Sequence, residues 1–182
     1  MDNLPKTTDL KIKILLIGQE KVGKTTYVSR LTDPDFILSE SYKSTNGVEI
    51  KTINLCTNMD NLQIDIWDIT GNEKLCGLRD GYYINADAAI LMYNSKTQIG
   101  DDFKELNRIC NDIPIVLLKN KNTNIKLLKS EYSWNIVNRL INNSNGKINA
   151  YSIDIIKNDI NKLIQPILLL CQKLFDNKLI FE

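Results

Sequence analysis

The sequence contains no histidine. Ser–His and Cys–His nucleophile pairs, histidine zinc sites and the usual switch near neutral pH are excluded together. Cysteine is sparse. Cys56, Cys76, Cys110 and Cys171 are scattered without metal-ligand spacing and follow no secretory leader, so reduced thiols packed inside a protein of the cytoplasm or nucleus are expected. No apolar run approaches a membrane span, and the sequence given ends Leu179-Ile180-Phe181-Glu182 without a prenylation cysteine, so no membrane anchor is expected. Neither sign of charge is in excess: a formal net charge of +1 with 25% charged residues points to neither a nucleic-acid groove nor an acidic tail. Proline and glycine number only 4 and 8 in 182 residues, and no Pro-, Gly- or Ser-rich linker divides the chain. One domain with one well-buried core is expected over 10–182, after a flexible polar segment over 1–9.

What is present is concentrated in one stretch. Gly18-Gln19-Glu20-Lys21-Val22-Gly23-Lys24-Thr25 follows the apolar run Lys11 to Ile17 and matches the phosphate-loop pattern in its strand-to-helix setting. Gly18 and Gly23 allow a turn tight enough for successive N–H groups to face a phosphate chain, and the following helix adds its positive end. In this pattern Lys24 holds the β- and γ-phosphates, and the Thr25 hydroxyl is a ligand for Mg²⁺, a hard cation that takes oxygen donors. Thr26 completes the binding stretch.

Around this loop the pattern predicts a helix over Lys24 to Leu31, a loop over Thr32 to Asn46, and strands over Val48 to Cys56 and Leu62 to Asp68 joined by a hairpin connection at Thr57 to Asn61. Ala86 to Tyr93 and Ile115 to Lys119 are continuous apolar runs, as in strands buried on both faces of a parallel sheet. Helices are expected over Asp101 to Cys110, Ser130 to Ile141 and Asp159 to Phe175, with a last strand over Lys147 to Ser152. The alternation gives an α/β fold, a three-layer P-loop NTPase domain with right-handed crossovers. A second constellation, Trp67-Asp68-Ile69-Thr70-Gly71-Asn72-Glu73, sits at the end of the third strand. Asp68 there can approach Mg²⁺ through a water, and the Gly71 N–H can reach a γ-phosphate, with Glu73, Lys74 and Arg79 on a candidate switch.

The run Gly71 to Tyr93, GNEKLCGLRDGYYINADAAILMY, resembles the Ran family of nuclear-transport small GTPases, as do Ile109 to Leu117, Lys24-Thr25-Thr26 and Thr45-Asn46-Gly47-Val48-Glu49. The likeness runs through nearly the whole chain. It implies a Ras-like domain with a six-stranded, mostly parallel sheet and about five helices, binding GTP or GDP with Mg²⁺ as a monomer. It makes Thr45 a further Mg²⁺ ligand, Asn120, Lys121 and Thr123 the base-recognition residues, and Lys24, Gly71 and Asn72 the catalytic set. It further implies importin-type transport receptors, an exchange factor and an activating protein as partners, in the cytoplasm and nucleus.

Departures from that family are equally specific. Asn72 replaces the glutamine that orients the attacking water and is one methylene shorter. Glu20 occupies a position usually glycine, where a carboxylate would crowd the γ-phosphate unless it turns to solvent or to Lys21. Thr123 stands where an aspartate accepts two hydrogen bonds from the guanine edge, and each charge-assisted bond lost costs roughly 1.5–3 kcal/mol. The supporting loop after the last strand has no clear match in Ser152 to Lys157. The C-terminal extension and acidic tail are missing from the sequence given, and the segment from Ser95 to Phe103 is shorter. Three functional readings follow: a GTPase with slow hydrolysis, a pseudo-GTPase that occupies Ran partners without turnover, and a P-loop protein with relaxed or altered base choice.

Overall fold

The computed structural model describes residues 10–39, 41–58, 61–71, 79–94, 99–121 and 131–181. The elements in order are β1 (Leu10–Ile17), α1 (Lys24–Thr32), β2 (Val48–Cys56), β3 (Asn61–Ile69), α2 (Arg79–Tyr83), β4 (Ala88–Tyr93), α3 (Gly100–Ile109), β5 (Ile115–Asn120), α4 (Glu131–Asn142), β6 (Ile148–Ile153) and α5 (Ile160–Leu174). The strands form one six-stranded sheet in the order β2-β3-β1-β4-β5-β6, in which only β2 runs antiparallel to its neighbour. This is the three-layer α/β P-loop architecture that the alternation of strands and helices predicts, with the six strands and five helices that the resemblance implies.

The reason lies in which strands can afford no polar face. All six residues of β4 are buried, as are Ile115 to Leu118 of β5, so these strands sit mid-sheet beneath helices on both sides. β2 and β3 instead alternate, as strands with one poorly covered face do. The sheet divides the expected single core in two. Ile14 and Leu16 point toward α1 and α5 and pack with Tyr27, Leu163 and Ile167. Their neighbours Leu15 and Ile17 point the other way, to a second cluster with Leu106 of α3 and Val137 of α4. Alternating side chains in one buried strand require this outcome. The Tyr27 hydroxyl donates to the Leu163 carbonyl at 2.8 Å, tying α1 to α5 inside the first core.

Several expectations need correction. Cys110 and Cys171 are buried, but Cys56 is exposed, because its β2 position lies on the face that no helix covers; Cys76 lies outside the described residues. Asn61 belongs to β3, paired with Cys56, rather than to the hairpin connection. Thr57 pairs with Phe181 near the end of the chain. Beside it the Asn58 backbone N–H donates to the Ile180 carbonyl at 3.0 Å and its side-chain amide to the Lys178 carbonyl at 3.2 Å. Its Oδ1 accepts from the Ile180 N–H at 2.7 Å. Leu179 is buried between these contacts, so residues 178–181 form a strap over the hairpin end. The expected flexible segment 1–9 lies outside the described residues. Among the described residues, no helix is long and apolar enough to cross a membrane.

Candidate functional site

The residues that the sequence pattern singles out meet at the carboxyl ends of β1 and β3, where open parallel sheets leave a crevice. Gly18 ends β1 with φ of 138°, and a Cβ there would stand 2.1 Å from the Met92 carbonyl oxygen of β4. Only glycine lets the loop leave the sheet so close to its neighbour. Val22 is buried, and its carbonyl accepts a hydrogen bond from the Asn120 side-chain amide at 3.0 Å, so the end of β5 props the far side of the loop. Gly23 precedes α1, which has no side-chain cap and no acidic residue in its first turn. An anion can therefore approach those helix N–H groups without competing with a carboxylate.

Lys24 is 6% exposed and donates to the carbonyls of Gly18 at 2.7 Å and Gln19 at 3.0 Å. Its ammonium lies along the inner rim of the loop, where phosphate oxygens can take over from carbonyls as acceptors. The Thr25 hydroxyl donates to Oδ2 of Asp68 at 2.5 Å and lies 3.1 Å from the Thr45 hydroxyl. Strand register explains the meeting. Val48 pairs with Ile69, the Thr70 N–H extends the ladder to the Gly47 carbonyl at 2.9 Å, and Thr45 is thereby brought to the end of β3 that carries Asp68.

These three side chains fit a Mg²⁺ ion. Asp68 is fully buried, and its Oδ1 finds no hydrogen-bond donor among the described residues, an expensive arrangement unless a cation compensates it. Burial pushes the Asp68 carboxyl up to about 6, against the pull of the Thr25 hydroxyl and the Lys24 ammonium. No group of three His, Cys, Asp or Glu side chains exists among the described residues. A cation here would therefore complete its shell with hydroxyls, water and phosphate oxygens, as Mg²⁺ does beside a nucleotide.

Gly71 approaches the phosphate loop from the other side. A Cβ on it would meet the Glu20 backbone nitrogen at 2.4 Å and the Gln19 carbonyl carbon at 2.5 Å. Glu20 turns its Oε1 toward the Ser44 hydroxyl, 3.4 Å away on an exposed side of the loop, while Lys21 extends over the Tyr42 ring, 5.3 Å from its centroid. Lys21 and Thr26 line a cleft of about 470 Å³ with Lys24, Thr25, Thr45 and Gly71. Asn120 is buried and Lys121 exposed, with the Lys121 N–H bonded to the Ile153 carbonyl at 2.7 Å. Asn72, Thr123 and the switch residues Glu73 and Lys74 lie outside the described residues.

The cleft also contains residues that the motifs do not reveal. Phe36, Leu38 and Tyr42 supply its apolar outer wall from the loop after α1. Ile155 packs where a Cβ on Gly23 would fall, at 2.8 Å. Only a run of apolar residues in an otherwise polar loop, Phe36-Ile37-Leu38, could have marked that wall in advance. The family model described as Ras of Complex, Roc, domain of DAPkinase matches residues 13–123, from β1 through the phosphate loop and Asp68 to Thr123.

Proposed function

The chain belongs to the Roc family, a GTPase-domain family of the Ras superfamily, and we propose that it is a GTP- and Mg²⁺-dependent switch that hydrolyses its nucleotide slowly. The observation that carries this reading is the meeting of Thr25, Thr45 and Asp68 within hydrogen-bond distance, beside the buried Lys24. Lys24 and the amides of the phosphate loop hold the phosphates. Thr25, Thr45 and Asp68 hold the cation, which when bound neutralises charge on the transferring phosphoryl group. The Gly71 N–H would hydrogen-bond the γ-phosphate, a contact that triphosphate offers and diphosphate does not.

Slow turnover is the expected result of Asn72, one methylene shorter than the glutamine that orients the attacking water in the resembled family. Asn120 and Lys121 frame the base, with Thr123 offering one hydroxyl where two guanine donors need acceptors. The finer form of the proposal is a Ran-type role in nucleocytoplasmic transport, with importin-type receptors, an exchange factor and an activating protein as partners in the cytoplasm and nucleus. It rests on the likeness of segments such as Leu78 to Tyr83.

The test is the nucleotide that purified protein releases on denaturation, followed by single-turnover phosphate release from bound GTP. The expected result is guanine nucleotide, mostly GTP, with Lys24→Ala eluting empty and binding a fluorescent guanine nucleotide at least about 100-fold more weakly. Asn72→Gln should speed phosphate release. Equal binding by wild type and Lys24→Ala would refute the phosphate-loop assignment, and GTP bound without any turnover would make the protein a switch that does not reset itself.

A further inference from the structure

The loop of residues 33–47 is the outer wall of the cleft, yet it is weakly embedded: Ile37 is 86% exposed and Tyr42 54% exposed. Three side-chain contacts cross from it to the phosphate side. One is Thr45 to Thr25, already assigned to the cation. The other two, Ser44 to Glu20 and Tyr42 to Lys21, begin on adjacent residues of the phosphate loop.

Lys21 has a backbone φ of 61°. That left-handed conformation favours glycine, and a lysine there is strained. Strain of this kind persists only where the surroundings enforce it, and it collects at functional positions. Here the side chain carried by the strained backbone reaches the opposite wall, and Glu20 does the same one residue earlier. Glycines at these two positions would remove both of these contacts.

We propose that Glu20 and Lys21 are positioning residues that latch the 33–47 loop over bound nucleotide through Ser44 and Tyr42, and so set the rate at which nucleotide leaves. The inference rests on the proposed nucleotide site and adds control of its opening. The latch belongs to the protein side of the cleft, so it acts on diphosphate and triphosphate alike, whereas Thr45 responds to the cation. Each contact is exposed and individually weak. Together they bias the loop toward closure without locking it.

The experiment measures release of a fluorescent GDP from the full chain at constant Mg²⁺, chased with excess unlabelled nucleotide. Tyr42→Leu and Lys21→Gly should each speed release roughly two- to fivefold, the range of one exposed cation–π contact. Tyr42→Phe should retain the wild-type rate because the ring remains. The double variant Lys21→Gly/Tyr42→Leu should be no faster than either single change, since both remove the same contact. Ser44→Ala should add a separate increase.

Lys21→Gly also relaxes the left-handed backbone. Its melting temperature should therefore stay level or rise while release accelerates, opposite to what loss of a merely structural residue produces. Unchanged release in Tyr42→Leu, or additive effects in the double variant, would overturn the latch while leaving nucleotide binding intact. A wild-type protein that binds no guanine nucleotide overturns both the latch and the reading beneath it.

Discussion

The phosphate loop and the loop of residues 33–47 face one another across the same cleft and are built on opposite terms. The first is fixed from every side: Gly18 against the Met92 carbonyl, Val22 against Asn120, Gly23 against Ile155, and Lys24 buried on the loop's own carbonyls. The second is largely exposed and crosses to its neighbour by side-chain tips. Donors held in place lose little freedom when a phosphate arrives, so the rigid wall supplies affinity. The pliant wall moves between states at small energetic cost, so it can report which ligand is present. Gly71 stands between the two regimes, beyond the end of β3 and pressed against the rigid loop.

The largest effect should come from adding one carbon to the rigid side. Gly18→Ala combines a disfavoured positive φ with a Cβ 2.1 Å from a mid-sheet carbonyl, and neither β1 nor β4 has room to retreat. A loss of about 3 kcal/mol or more is expected, a fall of roughly 10 °C in melting temperature by thermal unfolding. A fall of only a degree or two would show that the sheet yields and that the wall is softer than its packing implies.

Asp68→Asn should separate stability from ligand response. Burial raises the folded carboxyl from 3.8 to about 6, so the folded protein holds this proton more tightly than the unfolded chain does. The group's stabilising contribution is complete below about pH 4 and disappears as pH rises through about 6. In chelator, Asn should therefore match wild type near pH 4 and exceed it at pH 7 by about 1–3 kcal/mol, seen in denaturant titrations at both pH values. The same change should abolish the rise in nucleotide affinity with added Mg²⁺. Retention of that rise would remove Asp68 from the cation site.

Gly71→Ala should be the mildest for folding and the most selective for function. Its Cβ clash with the phosphate-loop backbone at 2.4 Å resembles that of Gly18, but Gly71 lies beyond the end of β3 and carries no positive φ. Melting should shift by no more than about 3 °C, while the preference for a non-hydrolysable triphosphate over diphosphate falls by roughly tenfold. A melting loss as large as that of Gly18→Ala would erase the distinction between the two walls.

Much of this arrangement was legible before any coordinates. β1, α1, β5 and α5 fall within two residues of their expected limits, because long apolar periods and the glycine-lysine-threonine signature are local signals. Thr25 and Asp68 are marked by their own motifs and Thr45 by the family resemblance, and strand register brings the three together. The five residues of α2 are too few to show a helical period, so periodicity did not delimit them. For Glu20 the sequence offers phosphate, solvent or Lys21 as neighbours; its partner Ser44 lies 24 positions away. The Asn58 contacts with the strap span 120 and 122 positions, beyond any period. A residue's partner across the fold is set by topology, and sequence spacing records only the near neighbours.

The strap has a consequence for how the chain is made. The core beneath α2, α3 and α4 has all its parts once β6 has been synthesised, whereas the core beneath α1 waits for α5, and the β2–β3 hairpin end waits for Leu179 and Phe181. At ordinary elongation rates of about 5–20 residues per second, the stretch from the end of β6 to the strap takes on the order of 1–6 seconds. During that interval Ile53, Leu55, Leu62 and Ile64, side chains of the first core, lack their α5 cover on the ribosome. One face of the sheet is thus born finished and the other in waiting, and the waiting face is the one that Asp68 shares with Leu62, Ile64 and Ile66 of β3.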